Sequence, residues 1–263
     1  MTFFQAVFLG LLQGLTEFLP VSSSGHLAIA QHFLHGFAQP GVLFDVLLHL
    51  ATACAVVVYF RRDCLLLAKA PFSNGPEAPL YRRLLKLLVI GSIPTAVIGL
   101  LFKDFFISLF HNLTVVSLML LVTGGLLFLS ERLRSGHRRE GDLTLWDVLL
   151  VGTAQGGAII PGISRSGATI AVLLLKGVDG ETAARFSFLL ALPAIVGAGF
   201  LSVGDLSEVS AAGLPIYLTG MLVAFATGLL SIHWLLAVVR RRRLYAFGFY
   251  CCLVGVFFLI LAP

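Results

Sequence analysis

Gln13-Gly14-Leu15-Thr16-Glu17-Phe18-Leu19-Pro20-Val21-Ser22-Ser23-Ser24-Gly25-His26 interrupts an apolar stretch that runs from about residue 3 to residue 34. Gln13 and Glu17 are four apart and share one helix face, whereas Pro20 forces that helix to stop at or just before it. Three serines and a glycine then open a second helix. A comparable break, Pro161-Gly162-Ile163-Ser164-Arg165-Ser166-Gly167-Ala168-Thr169, divides the apolar stretch from about 145 to 176. Lipid cannot satisfy the free N–H and C=O groups of such breaks, so they must be buried in protein or line a wet cavity. Both stretches therefore predict re-entrant helix-loop-helix hairpins. Eight uninterrupted spans would instead leave Glu17 and Arg165 inside continuous helices.

The rest of the chain agrees with a membrane setting. Of its 263 residues, 58% are apolar and 12% charged, about half the charge of an ordinary soluble domain. Six further stretches are long enough to cross a hydrocarbon core, which takes about 20 helical residues: approximately 44–60, 86–102, 113–130, 186–203, 214–239 and 244–262. No polar linker separates them, so residues 1–263 are expected to form one membrane domain. The formal charge of +5 comes from short basic clusters between apolar stretches and reports topology. It gives no reason to expect a nucleic-acid partner. The N-terminus lacks a basic n-region and a clear cleavage site, so no removable signal peptide is expected. Cys54, Cys64, Cys251 and Cys252 show no CxxC spacing and read as small apolar fillers.

The two broken stretches resemble each other. Gly10, Gln13, Gly14, Pro20, Ser22, Ser24 and Gly25 recur as Gly152, Gln155, Gly156, Pro161, Ser164, Ser166 and Gly167, with the two glutamines 142 residues apart. Phe44, Leu47, Leu48 and Leu50 match Phe186, Leu189, Leu190 and Leu192 at the same offset. Gly91 and Gly99-Leu100-Leu101 match Gly220 and Gly228-Leu229-Leu230 at a shorter one. Each half, about 1–131 and 145–263, thus predicts one hairpin and three spans. An odd number of crossings inserts the second half upside down, giving an inverted-topology repeat in an all-α integral membrane protein.

Charge tests that model independently. It places Arg61, Arg62, Lys69, Arg82, Arg83, Lys86, Arg132, Arg134, Arg138, Arg139, Lys176, Arg185 and Arg240 to Arg243 on one side. Lys103 is the only basic residue on the other, whose loops also carry Asp104, Asp205 and Glu208. By the positive-inside rule both termini are expected outside the cytoplasm.

Chemistry concentrates at the hairpin tips. A helix N-terminus flanked by hydroxyls is a ready anion site, and His26 can move a proton near neutral pH. A guanidinium at membrane depth needs an anionic partner; for Arg165 that is a bound phosphate, the carboxylate of Glu17, or each in turn. If the repeat brings the tips together, one cavity collects Glu17, Ser22, Ser23, Ser24, His26, Ser164, Arg165, Ser166 and Thr169, a set suited to phosphoryl transfer. Ser22 and Ser24 read equally well as capping and small-residue packing. Outside the tips, His49 and His233 sit inside apolar spans, where a lone histidine is more often a helix-to-helix hydrogen bond than a ligand. His32, His35, His111 and His137 read as peripheral, and Arg240 to Arg243 as a topology and anionic-lipid anchor.

The two tip motifs, together with Phe-Ser-Phe-Leu-Leu-Ala-Leu-Pro at 186–193, resemble those of the bacitracin-resistance type undecaprenyl-diphosphate phosphatases along essentially the whole chain. The resemblance implies an integral enzyme of the bacterial inner membrane, its active site open to the periplasmic side. It would hydrolyse undecaprenyl diphosphate to the monophosphate and recycle the lipid carrier for wall polymers. Carried over by position, it makes Glu17 a catalytic or metal-associated carboxylate, Ser23 the nucleophile, His26 its proton partner and Arg165 the phosphate clamp. Gln13, Ser22, Ser24, Ser164, Ser166 and Thr169 become substrate-binding, with Mg²⁺ or Ca²⁺ as cofactor. Gln13 departs from the glutamate that is commoner there, and an amide is a poorer cation ligand than a carboxylate. The implied partners are the polyprenyl diphosphate and membrane lipid, with a homodimer compatible with the pattern. A polyprenyl-phosphate carrier built on the same repeat would also need a phosphate site and a tail groove; Ser23 and His26 beside Glu17 favour hydrolysis.

Overall fold

The computed structural model describes residues 1–38, 42–110, 112–133, 136–202, 204 and 213–261. Expectations for His111, Arg134, Asp205 and Glu208 lie outside the described residues. The fold is helical, and no strand occurs among the described residues.

The first expected hairpin is α1 (Phe3–Thr16) and α2 (Ser23–Phe33); the second is α8 (Leu145–Gly157) and α9 (Arg165–Leu175). Between α2 and α8 run α3 (Leu43–Tyr59), α4 (Arg61–Lys69), α5 (Ala78–Leu101), α6 (Lys103–Leu109) and α7 (Leu113–Leu133). After α9 come α10 (Gly180–Leu201), α11 (Leu214–Arg240) and α12 (Tyr245–Leu261). Four helices, α5, α7, α10 and α11, are long and apolar enough to cross a membrane. The α3–α4 pair qualifies only jointly and bends by 83° at its break. The chain is a multi-pass membrane protein.

Local chemistry repeats along with the elements. α1 starts at a capping box in which Thr2 pairs with Gln5, and α8 at one in which Thr144 pairs with Asp147. Ser22 caps α2 through Gly25 N, as Ser164 caps α9 through Gly167 N. These caps satisfy amide groups that would otherwise be orphaned at the start of each helix.

Each hairpin packs on the opposite half of the chain: α1 against α11, and α8 against α5, while α7 pairs with α12. The halves therefore interdigitate, and the largest cluster of buried apolar side chains draws on both. Where the tips meet, a side chain would not fit. A Cβ on Gly25 would stand 3.0 Å from the Cα of Gly162, and Gly162 itself has a φ of +96°.

The basic loops gather at one end. Arg185 bonds Asp63, Glu140 (2.8 Å) and the hydroxyl of Tyr81 (3.0 Å). Arg138 donates to Asp147 (2.6 Å) and to the Lys176 carbonyl (2.8 Å). Arg83 reaches the carbonyls of Gly141 and Leu143, and Arg240 forks onto Glu181 at 2.8 and 2.6 Å.

Candidate active site

α1 ends where Glu17 turns into the protein. Glu17 and Gln13 are both buried, and the Gln13 amide donates to Glu17 Oε2 at 3.0 Å. The chain reverses through Pro20 and a left-handed Ser22 (φ 68°), so that Ser23 becomes the first residue of α2. Its hydroxyl donates to the same Glu17 Oε2 at 2.5 Å.

From the other hairpin, Arg165 donates through Nη2 to Glu17 Oε1. Its second amino group, Nη1, is buried with no hydrogen-bond partner among the described residues. A guanidinium is a fork of donors, and this one has a tine unused. A phosphate oxygen is the acceptor that suits it.

The remaining tip residues divide by what they touch. Ser22 and Ser164 cap α2 and α9, and Ser22 also donates to the Ile163 carbonyl at 3.3 Å. Ser166 donates to the Leu19 carbonyl (3.2 Å), which ties the two hairpins together. Thr169, fully buried, bonds the Arg165 carbonyl (2.8 Å) and Ser187 (2.5 Å). Ser24 is only partly buried and lies 3.4 Å from the Ser22 hydroxyl. The third motif backs the site, since Phe188 meets Phe18 edge to face with ring centres 5.2 Å apart.

His26 stands where the sequence puts it, in the first turn of α2, but its ring is engaged elsewhere. Nδ1 lies 2.8 Å from the Ser22 carbonyl and Nε2 2.8 Å from the Tyr250 hydroxyl. Among the described residues its ring makes no hydrogen bond to Ser23. The histidine at Glu17 is His49, whose Nε2 is 3.4 Å from Oε2 while Nδ1 meets the Asp45 carbonyl at 2.7 Å. Nothing local in the sequence marks His49 or Tyr250, because their partners are brought to them by helix packing. His233, by contrast, bonds Tyr59 across helices at 3.2 Å, as a lone histidine in a span is expected to.

At the end away from the basic loops, a cavity of about 370 Å³ lies among α2, α3 and α7, lined in part by Gln31, His32, Asp45 and Val116. An apolar groove lined by Leu47, Leu50, Val196 and Phe200 runs between α3 and α10.

Comparison with known proteins decides the family. The model of the bacitracin resistance protein BacA family matches residues 6–257. The chain belongs to the BacA family. A curated member from Syntrophotalea carbinolica, named undecaprenyl-diphosphatase, is 65% identical over 258 residues, covering 98% of each chain. Members of the same name from Desulforapulum autotrophicum and Halothermothrix orenii are each 42% identical, over 99% and 100% of this chain and 98% and 99% of theirs. Both hairpin tips and the 186–193 motif fall inside the matched BacA span.

No group of three or more His, Cys, Asp or Glu that could hold a metal occurs among the described residues. The oxygens available beside Ser23 and Arg165 are the Glu17 carboxylate and, on Gln13 next to it, an amide oxygen buried with no hydrogen-bond partner among the described residues. One carboxylate plus an amide oxygen suits a hard cation that takes its other ligands from water and substrate phosphates. Mg²⁺ or Ca²⁺ fits this set.

Proposed function

We propose that this chain hydrolyses undecaprenyl diphosphate to undecaprenyl phosphate and inorganic phosphate, returning the lipid carrier for cell-wall polymer synthesis. The observation that carries this reading is the convergence of Ser23 and Arg165 on one buried carboxylate, with an unused guanidinium N–H beside it. The names of the BacA relatives supply the substrate.

In this reading the diphosphate takes Arg165 Nη1 first and then competes with Glu17 for the rest of the fork. Loss of that contact frees the Glu17 carboxylate, which already accepts from the Ser23 hydroxyl at 2.5 Å, to take its proton. Ser23 Oγ attacks the terminal phosphorus while its proton passes to Glu17 Oε2. The bond to the bridging oxygen breaks, and undecaprenyl phosphate leaves with its negative charge facing Arg165 and the amide-rich start of α9. Glu17 gives the serine proton to the departing undecaprenyl phosphate. As a carboxylate again it deprotonates a water that attacks the phosphoserine phosphorus, and it returns the proton to Ser23 Oγ as the serine–phosphorus bond breaks and inorganic phosphate leaves. Glu17 and the Gln13 amide oxygen would hold the divalent cation, which supplies charge neutralisation at the diphosphate.

The same proposal extends to topology. Six spans and two re-entrant hairpins, in halves 1–131 and 145–263, place the basic loops in the cytoplasm of a bacterial inner membrane. The tips then open to the periplasm past Asp45 and Gln31. The paired capping boxes, the exchanged packing of α1 and α8 and the single cluster of basic loops support it. The deciding experiment is phosphate release from undecaprenyl diphosphate by purified protein, with and without chelator. No turnover on any prenyl diphosphate would favour a carrier.

A further inference from the structure

Two non-glycine residues among those described have a left-handed backbone, Ser22 and Arg242. Arg242 lies in an exposed turn, whereas Ser22 (φ 68°, ψ 90°) is buried directly before Ser23. Side chains disfavour this region, and it persists only where the surroundings over-determine it. At Ser22 the turn has a purpose that is visible in the geometry, because it puts Ser23 at the start of α2 with Oγ on Glu17.

The ring of His26 braces that turn. A carbonyl only accepts, so the Ser22 oxygen 2.8 Å from Nδ1 places the ring proton on Nδ1. In the neutral ring Nε2 is then an acceptor, and the Tyr250 hydroxyl at 2.8 Å donates to it. The two rings also lie parallel, 7° apart in plane with centres 5.6 Å apart. Tyr250 belongs to α12, at the far end of the chain, and α12 is packed along α7. A line of contacts thus runs from a firmly seated helix through Tyr250 and His26 to the strained carbonyl beside Ser23.

We infer that Tyr250 is a positioning residue for Ser23: acting through His26, it holds the left-handed turn at Ser22 that aims the Ser23 hydroxyl at Glu17. His26 is accordingly a strut and not the group that takes the serine proton. The inference rests on the proposed reading of Ser23 as nucleophile.

Tyr250→Phe keeps the stacked ring and deletes only the hydroxyl. Assayed on undecaprenyl diphosphate in detergent, it should lower kcat on the order of tenfold, with KM within about twofold. In combination with His26→Ala, it should add no further loss, because both changes break the same strut. Wild-type kcat in Tyr250→Phe, a loss confined to KM, or losses that multiply in the double variant would each overturn the inference. Wild-type protein that releases no phosphate would fail the hydrolase reading itself, which the unmutated control reports separately.

Discussion

Ser23 and Arg165 occupy the same position in two copies of one sequence motif: each is the first residue of a helix capped by a serine, and each bonds the carboxylate of Glu17. The repeat has thus supplied a hydroxyl from one copy and a guanidinium from the other. Only the first copy carries the acid, since Ile159 stands where Glu17 would recur. A single carboxylate consequently meets residues from both tips.

Ser23→Ala should lower turnover by about a thousandfold or more while binding of undecaprenyl diphosphate survives, since only the transferring step needs the hydroxyl. Ser24→Ala should be mild, because among the described residues its hydroxyl hydrogen-bonds only Ser22, at 3.4 Å. Phosphate release and equilibrium binding, measured on the same preparations, check both. A fully active Ser23→Ala would move the attack to water activated by Glu17.

His49→Ala should lower kcat on the order of tenfold, and His233→Ala should leave it near normal. His49 lies against the oxygen of Glu17 that holds Ser23, whereas His233 bonds only Tyr59 among the described residues. Steady-state kinetics on the pair separates a contact with the reacting carboxylate from ordinary helix packing. Equal effects from both would remove His49 from the site.

The two helix breaks were legible because they are local. Pro20, the serine caps and the Gln13–Glu17 spacing declare themselves within 14 residues, and the helix limits of α2 and α9 follow from those caps. The recurrence of the serine cap at the start of each second helix was legible for the same reason. Contacts made by packing were not. His49 looks like any histidine in an apolar span until α3 is laid beside α1, and Tyr250 lies 224 residues from the ring it touches. The pairing of Ser23 with His26 came from the family resemblance; in the fold the imidazole bonds the Ser22 carbonyl and Tyr250, and the Ser23 hydroxyl donates to Glu17.

Chelation should abolish phosphate release, and Mg²⁺ or Ca²⁺ should restore it. Gln13→Glu is the informative companion. If residue 13 supports the cation, the carboxylate should tighten it, and the metal concentration for half-maximal activity should fall. If the amide serves chiefly to donate to Glu17 Oε2 at 3.0 Å, a second negative charge should instead lower activity. A metal titration of both proteins separates the two outcomes, and full turnover under strict chelation would remove the cation from the mechanism.

Topology can be read with single cysteines in a background lacking Cys54, Cys64, Cys251 and Cys252. Arg242→Cys should resist an impermeant thiol reagent in intact cells and react after permeabilisation, while Lys103→Cys should react from outside. Both positions are exposed, so access is set by the membrane and not by burial. Labelling of Arg242→Cys in intact cells would overturn the inverted repeat, because Arg240 is tied to Glu181 and Arg185 to Asp63 and Glu140 at the same end.

Arg165 provides the strictest test of the two-tip site. Arg165→Lys keeps the charge at the start of α9 but loses the planar fork, and an ammonium cannot hold Glu17 and a phosphate oxygen in the same geometry. Turnover should fall on the order of a hundredfold, within the range for removing one donor to a developing charge. Arg165→Ala should fall further and also raise KM, because the unused Nη1 is available to the ground-state diphosphate. A second consequence concerns Glu17: without its guanidinium partner the buried carboxylate loses its main counter-charge, so Glu17→Gln should cost little additional stability in the Arg165→Ala background. Near-normal turnover in Arg165→Ala would refute the shared cavity, since the second hairpin would then contribute nothing essential to phosphate chemistry.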